Sequence, residues 1–181
     1  MRLPNADRRS GYQPPRELVL STPEHLIAFG FGAGLAPFAP GTAGTLVALP
    51  LWLALSALPW PLYVAALALL FAFGCWVCGA SARLLGVHDY PGIVFDEIVG
   101  FLLAALPLLP ALGWVRHHPG LWLLAAFVLF RALDVWKPWP IRNVDRRLGG
   151  GFGIMFDDAL AAAYAAVALA VVAWLGRPHA P

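Results

Sequence analysis

Charge is what this chain has least of. Only 12% of its 181 residues are Asp, Glu, Lys or Arg, and 60% are hydrophobic, where an ordinary soluble domain is roughly a quarter charged. A soluble fold of this length cannot cover that much apolar surface, so the soluble classes are excluded. The formal net charge of +2 is too small to point to nucleic acid as a partner. Other absences narrow the chemistry. There is no C-x5-R loop of a cysteine phosphatase, no D-x-D-x-T/V of an aspartyl-phosphate enzyme, no K-x6-R-P with P-S-G-H of the histidine lipid phosphatases, and no P-loop. The D-x2-D-G-x2-A-R signature of CDP-alcohol phosphotransferases is missing too. Of the two cysteines, Cys75 and Cys78 form C-x-x-C inside an apolar run, a setting that suits packing rather than redox or metal chemistry. The histidines (His25, His88, His117, His118, His179) are scattered and are expected to be interfacial or solvated.

What is there is apolar sequence in long runs. Five stretches stand out, Thr45–Leu58, Leu62–Leu85, Ile98–Val115, Leu121–Val135 and Ala159–Leu175. A perpendicular span needs about 20 residues, so several must extend into the interface, where Trp60, Trp114, Trp136 and Trp174 suit an aromatic belt. The first can also borrow from Leu26–Leu35, a segment that alternatively dips into the membrane and returns. The expected fold is all-α, a polytopic membrane protein with about five membrane-spanning or membrane-embedded helices. Residues 1–25 carry Arg2, Arg8, Arg9 and Arg16 but no apolar run longer than Leu18-Val19-Leu20, so they lack a signal-peptide core and are expected to form a flexible basic tail. Residues 26–177 then form one helical domain. With the N-terminus inside, Arg2, Arg8, Arg9, Arg16, Arg83, Arg131, Lys137, Arg142, Arg146 and Arg147 fall on the cytoplasmic side, leaving Arg116 and Arg177 outside.

The ten acidic residues fall in three stretches, Asp7 to Glu24, Asp89 to Glu97 and Asp134 to Asp158. The topology above, drawn without using them, puts Asp96, Glu97, Asp134, Asp145, Asp157 and Asp158 on the cytoplasmic face. Asp96-Glu97 opens the third apolar stretch and Asp157-Asp158 the fifth. Negative charge at a helix N-terminus is one explanation of each pair. The other is a cation, because adjacent carboxylates at a membrane edge repel one another and are costly to desolvate. Oxygen donors with no His or Cys cluster suit Mg²⁺ or Mn²⁺ rather than zinc.

The only lysine, Lys137, lies among these acids. Pro138 and Pro140 force an extended exit from the fourth stretch, so Lys137 and Arg142 project from a stiff segment. A Lys point charge and an Arg fork are the usual partners of a phosphate; the alternative, a positive-inside anchor on lipid head groups, suits Arg146 and Arg147 better. Two glycine turns, residues 30–34 and 40–45, precede the first span, where backbone N–H groups with Thr42 and Thr45 could cradle an anion.

Four blocks, GFGAGLAPFAPGTAGT (30–45), IVFDEIVG (93–100), RALDVWKPWPIRNVD (131–145) and GGGFGIMFDDALA (149–161), make the chain resemble the phosphatidylglycerophosphatase A family. These are bacterial membrane enzymes that dephosphorylate phosphatidylglycerophosphate to phosphatidylglycerol. The resemblance implies a Mg²⁺-dependent lipid phosphatase of the bacterial inner membrane, acting on an anionic phospholipid at the cytoplasmic face. It implies functional positions at Thr42, Asp96, Glu97, Asp134, Lys137, Arg142, Asp145, Asp157 and Asp158. The reading that follows has Asp96, Glu97, Asp157 and Asp158 as metal ligands. Lys137 and Arg142 bind phosphate with Thr42 and Thr45, and Asp134 or Asp145 handles the water or the leaving oxygen. A cation- or proton-coupled transporter is the alternative, although its carboxylates belong near the bilayer midplane rather than at span ends.

Overall fold

The computed structural model describes residues 13–87, 90–115, 117–139, 141–143 and 148–176, and the regular structure among them is all helical. Two short helices, α1 (Arg16–Ser21) and α2 (Pro23–Ala28), lead through 3-10 turns at Gly30–Leu35 into α3 (Pro40–Leu55). Then come α4 (Trp60–Leu85), α5 (Phe95–Ala104), α6 (Pro119–Trp136) and α7 (Gly150–Leu175). Of these, α4, α6 and α7 are long and apolar enough to cross a membrane, and α3 is a shorter apolar helix.

The expected span Ile98–Val115 is broken. Helix α5 stops at Ala104, and the chain goes on through 3-10 turns at Leu106–Leu108 and Pro110–Leu112. Pro107 and Pro110 are the reason, since each lacks an N–H and its ring clashes with the preceding turn. At 1.5 Å per residue α5 is about 15 Å long, half a bilayer core. A helix that short cannot reach water at both ends, and it is wrapped by its neighbours instead. Eight of its ten residues are buried, among them Phe95, Asp96, Ile98, Phe101 and Leu102. Tyr63 of α4 donates to the Leu102 carbonyl at 2.7 Å, satisfying one of the terminal acceptors that the break leaves.

Lipid tails are as apolar as leucine, so helices in a bilayer associate through close packing of small residues. Ala161, Ala162 and Ala165 of α7 are fully buried. A side chain at Gly151 would collide with the backbone carbonyl of Cys75 and the amide of Gly79, which brings the start of α7 against the end of α4. Lys137 at the end of α6 is ion-paired with Asp157 near the start of α7, and Gly41 at the start of α3 lies against Glu97 of α5 and Arg131 of α6. The helices therefore alternate in direction, with the starts of α3, α5 and α7 and the ends of α4 and α6 meeting at one end of the bundle.

The N-terminal elements pack over that end. His25, expected at an interface or in solvent, is buried and shares a 2.8 Å hydrogen bond with Ser81 of α4; burial lowers its pKa against the opposing influence of Glu24. Residues 16–25, assigned to the tail by sequence, form α1 and the first part of α2, with Val19 buried. Leu26–Leu35 does not lengthen the first span, being the end of α2 and a 3-10 turn. Cys78 is buried with its Sγ 3.9 Å from Met155 Sδ, the packing role expected of it. Trp60, Trp136 and Trp174 are exposed at helix ends, as a belt requires.

Because backbone cannot yield as a flexible side chain can, Gly151→Ala should destabilise the protein by about 1–3 kcal/mol. Gly120→Ala, where the added methyl meets open space beyond its own helix turn, should be silent or mildly stabilising. Thermal unfolding of both variants in detergent checks this.

Candidate active site

The site is built where the helix ends meet. The segment ahead of α5 is fixed from both sides: the Val94 amide donates to Ala28 at 2.8 Å, and Gly34 and Gly92 approach so closely that a side chain at either would strike the other's backbone. That puts Asp96 and Glu97 in the first turn of α5, where Asp96 Oδ1 accepts from the Glu97 amide at 3.1 Å. The dipole explanation fits these two but not the second pair. Helix α7 starts at Gly150, so Asp157 and Asp158 lie two turns inside it, and the dipole effect falls off within the first turn. Both are nonetheless buried.

Asp96, Glu97 and Asp158 each offer a carboxylate oxygen within 4.8 Å of the other two. Asp134 of α6 lies beside Asp158, close enough for their charges to interact. Glu97 Oε2 and Asp158 Oδ2 are buried without a hydrogen-bond partner. A buried, unpartnered carboxylate oxygen costs more than an ordinary lost hydrogen bond, and three carboxylates this close cannot all ionise without a cation. The residues present thus fit a hard divalent cation: all-oxygen donors, two of them unsatisfied.

Asp157 and Asp134 each meet a cationic side chain. Asp157, grouped by sequence with the metal ligands, is instead bonded to Lys137 Nζ. Asp134 Oδ2 is 2.5 Å from Arg131 Nη1, which is also 3.6 Å from Glu97 Oε1. Lys137 caps α6 with φ 44° and ψ 64°. Pro138 bars continuation of the helix, and the left-handed backbone, which costs a non-glycine residue roughly 1–2 kcal/mol, swings the ammonium onto Asp157.

The comparisons with known proteins bear on what this arrangement does. The family model described as Phosphatidylglycerophosphatase A matches residues 26–173. The chain belongs to the phosphatidylglycerophosphatase A family. It is 46% identical over 144 residues to Phosphatidylglycerophosphatase A of Escherichia coli (strain K12), covering 80% of each chain. It is 43% identical over 164 residues to the Haemophilus influenzae protein of that name, covering 90% of this chain and 96% of the other. A Bacteroides thetaiotaomicron protein, provisionally named a phosphatidylinositol-3-phosphatase, is 39% identical over 157 residues, or 83% and 93% of the two chains. No solved structure matches. As a member of that family the chain is an enzyme, a phosphatase.

Of the residues expected from sequence, this family member brings together Asp96, Glu97, Asp134, Lys137, Asp157 and Asp158. Thr45 is not available to a ligand, being buried with its hydroxyl donated to the Gly41 carbonyl at 2.9 Å. Thr42 is half-buried in the first turn of α3. Arg142 is exposed beside the buried Ile141. Asp145, with Arg146, Arg147 and His88, lies outside the described residues. Arg131 was missed as a site residue; its i,i+3 spacing to Asp134 is visible in sequence, but its reach to Glu97 on another helix is not.

Lys137 now has two possible duties, holding Asp157 or meeting the substrate. Lys137→Ala should lower turnover by roughly two or more orders of magnitude, and it should destabilise the protein by leaving Asp157 buried without its cation. Adding Asp157→Asn should restore the melting temperature but not the turnover. Recovery of turnover in the double variant would reduce Lys137 to a partner of Asp157.

Proposed function

We propose that the protein hydrolyses the phosphate monoester of phosphatidylglycerophosphate to give phosphatidylglycerol, with Mg²⁺ or Mn²⁺ held by Asp96, Glu97 and Asp158. The observation that carries this reading is the carboxylate cluster with two unsatisfied buried oxygens beside two fixed cations, Lys137 and Arg131. When bound, the divalent ion supplies Lewis-acid stabilisation of charge on the phosphoryl oxygens. The names of the Escherichia coli and Haemophilus influenzae relatives support the choice of substrate.

The chain's own residues do the rest. Lys137 and Arg142 bind and orient the phosphate, neutralising charge as the ester P–O bond breaks. Asp134, kept in place by Arg131, orients the attacking water or delivers a proton to the leaving glycerol oxygen; Asp145 shares that assignment. Thr42, at the start of α3, adds a hydroxyl and backbone N–H groups to the phosphate side. Asp96, Glu97, Asp134, Lys137 and Asp158 sit at the bundle end that charge distribution assigns to the cytoplasm, so the lipid presents its head group there while its acyl chains stay in the bilayer of the inner membrane.

Chelation should abolish phosphate release, and Mg²⁺ or Mn²⁺ should restore it. Asp96→Asn and Asp158→Asn should remain folded but lose turnover by roughly two or more orders of magnitude. Full activity in excess chelator would end the metal-dependent reading. The sidedness has its own check: single cysteines at Gly150 and His118, in a background lacking Cys75 and Cys78, should label from opposite faces, Gly150 only after permeabilisation. Labelling of both from outside would overturn the cytoplasmic assignment.

A further inference from the structure

Five carboxylates meet at one end of the bundle, and only three of them, Asp96, Glu97 and Asp158, form the group able to share an ion. What divides the set is Arg131. From α6 its Nη1 lies 2.5 Å from Asp134 Oδ2 and 3.6 Å from Glu97 Oε1. Its Nη2 faces Gly41, where even a methyl group would strike both the guanidinium and the Glu97 carboxylate. The start of α3 therefore closes the space behind Arg131, and the absence of a side chain at Gly41 admits the Glu97–Arg131 pair. Glu97 is left with one oxygen toward Arg131 and the other, Oε2, buried and unpartnered like Asp158 Oδ2.

We propose that Arg131 is a positioning residue that sets the ligand count of the site: it restrains Glu97 to a single oxygen toward the cation and holds Asp134 off it for work on water or the leaving group. This rests on the divalent-cation reading above and deepens it. An arginine suits the task because its planar fork can hold two carboxylates in a fixed relation and does not deprotonate. A lysine keeps the charge but not the fork.

The proposal makes two readouts move in opposite directions. Removing a positive charge beside three carboxylates strengthens their attraction for a divalent ion, while freeing Asp134 and Glu97 disorders the chemistry. Mn²⁺ binding to the full-length protein in detergent, measured by loss of the free Mn²⁺ EPR signal, should therefore be about tenfold or more tighter in Arg131→Gln than in the wild type. Turnover at saturating Mn²⁺ should fall by roughly a hundredfold. A purely structural role would weaken both together. Arg131→Lys, the variant less prone to misfold, should bind Mn²⁺ within about threefold of wild type yet still lose turnover at least tenfold, because a freely rotating ammonium on a shorter side chain does not fix the two carboxylates as the planar guanidinium does. Weaker binding in Arg131→Gln, or full turnover in Arg131→Lys, overturns the proposal while leaving the cation reading intact; a wild-type protein that binds no Mn²⁺ overturns both.

Discussion

Everything at the working end of this bundle follows from one constraint: buried carboxylates in a membrane protein must be matched by positive charge. Asp96, Asp134, Asp157 and Asp158 are all buried, and Glu97 lies among them. Arg131 reaches both Asp134 and Glu97, and Lys137 holds Asp157. Asp96, Glu97 and Asp158 share a space in which Glu97 Oε2 and Asp158 Oδ2 have no hydrogen-bond partner. Such an arrangement is a poor way to stabilise a fold, since a buried ion pair at best roughly offsets its own desolvation. It makes sense as a site whose charge is completed by what binds there.

The architecture serves that constraint by bringing five helix ends to one place. The half-length α5 is central, because its N-terminus carries Asp96 and Glu97 and its surroundings are fully packed. Prolines end it early, and Tyr63 covers the carbonyl left behind. Glycines at 41 and 151 let α3 and α7 approach until side chains on different helices can touch. A displacement of about 1 Å among such groups is enough to cost a hundredfold in rate, so the tight backbone contacts and the chemistry are one problem, not two.

Much of this was legible in the sequence. The apolar runs pointed to the helical membrane fold, the acids at span ends and the lone lysine before two prolines pointed to residues that the structure brings together, and the four motif blocks pointed to the family. What was not legible depended on three-dimensional partners. Apolar composition does not distinguish Ile98–Val115 as one span from a half-helix followed by turns, although Pro107 and Pro110 were there to be weighted. Asp157 and Asp158 are adjacent and look equivalent, yet successive residues on a helix point about 100° apart, which sends one to Lys137 and the other to the carboxylates Asp96 and Glu97. Thr45 looks like a donor in a glycine turn until the turn proves to be the first turns of α3, where its hydroxyl bonds back to Gly41. Buried His25 shows that a short polar segment ahead of the first span can be part of the packed structure.

The central claim is that Asp96, Glu97 and Asp158 form the cation site while Asp134 and Asp157 are held away from it. Anomalous diffraction from crystals grown with Mn²⁺ tests this most directly. The account predicts a peak among those three carboxylates, with Asp157 still on Lys137 and Asp134 still on Arg131. A peak coordinated by Asp157, or ordered Mn²⁺ only at sites elsewhere on the protein, would contradict it.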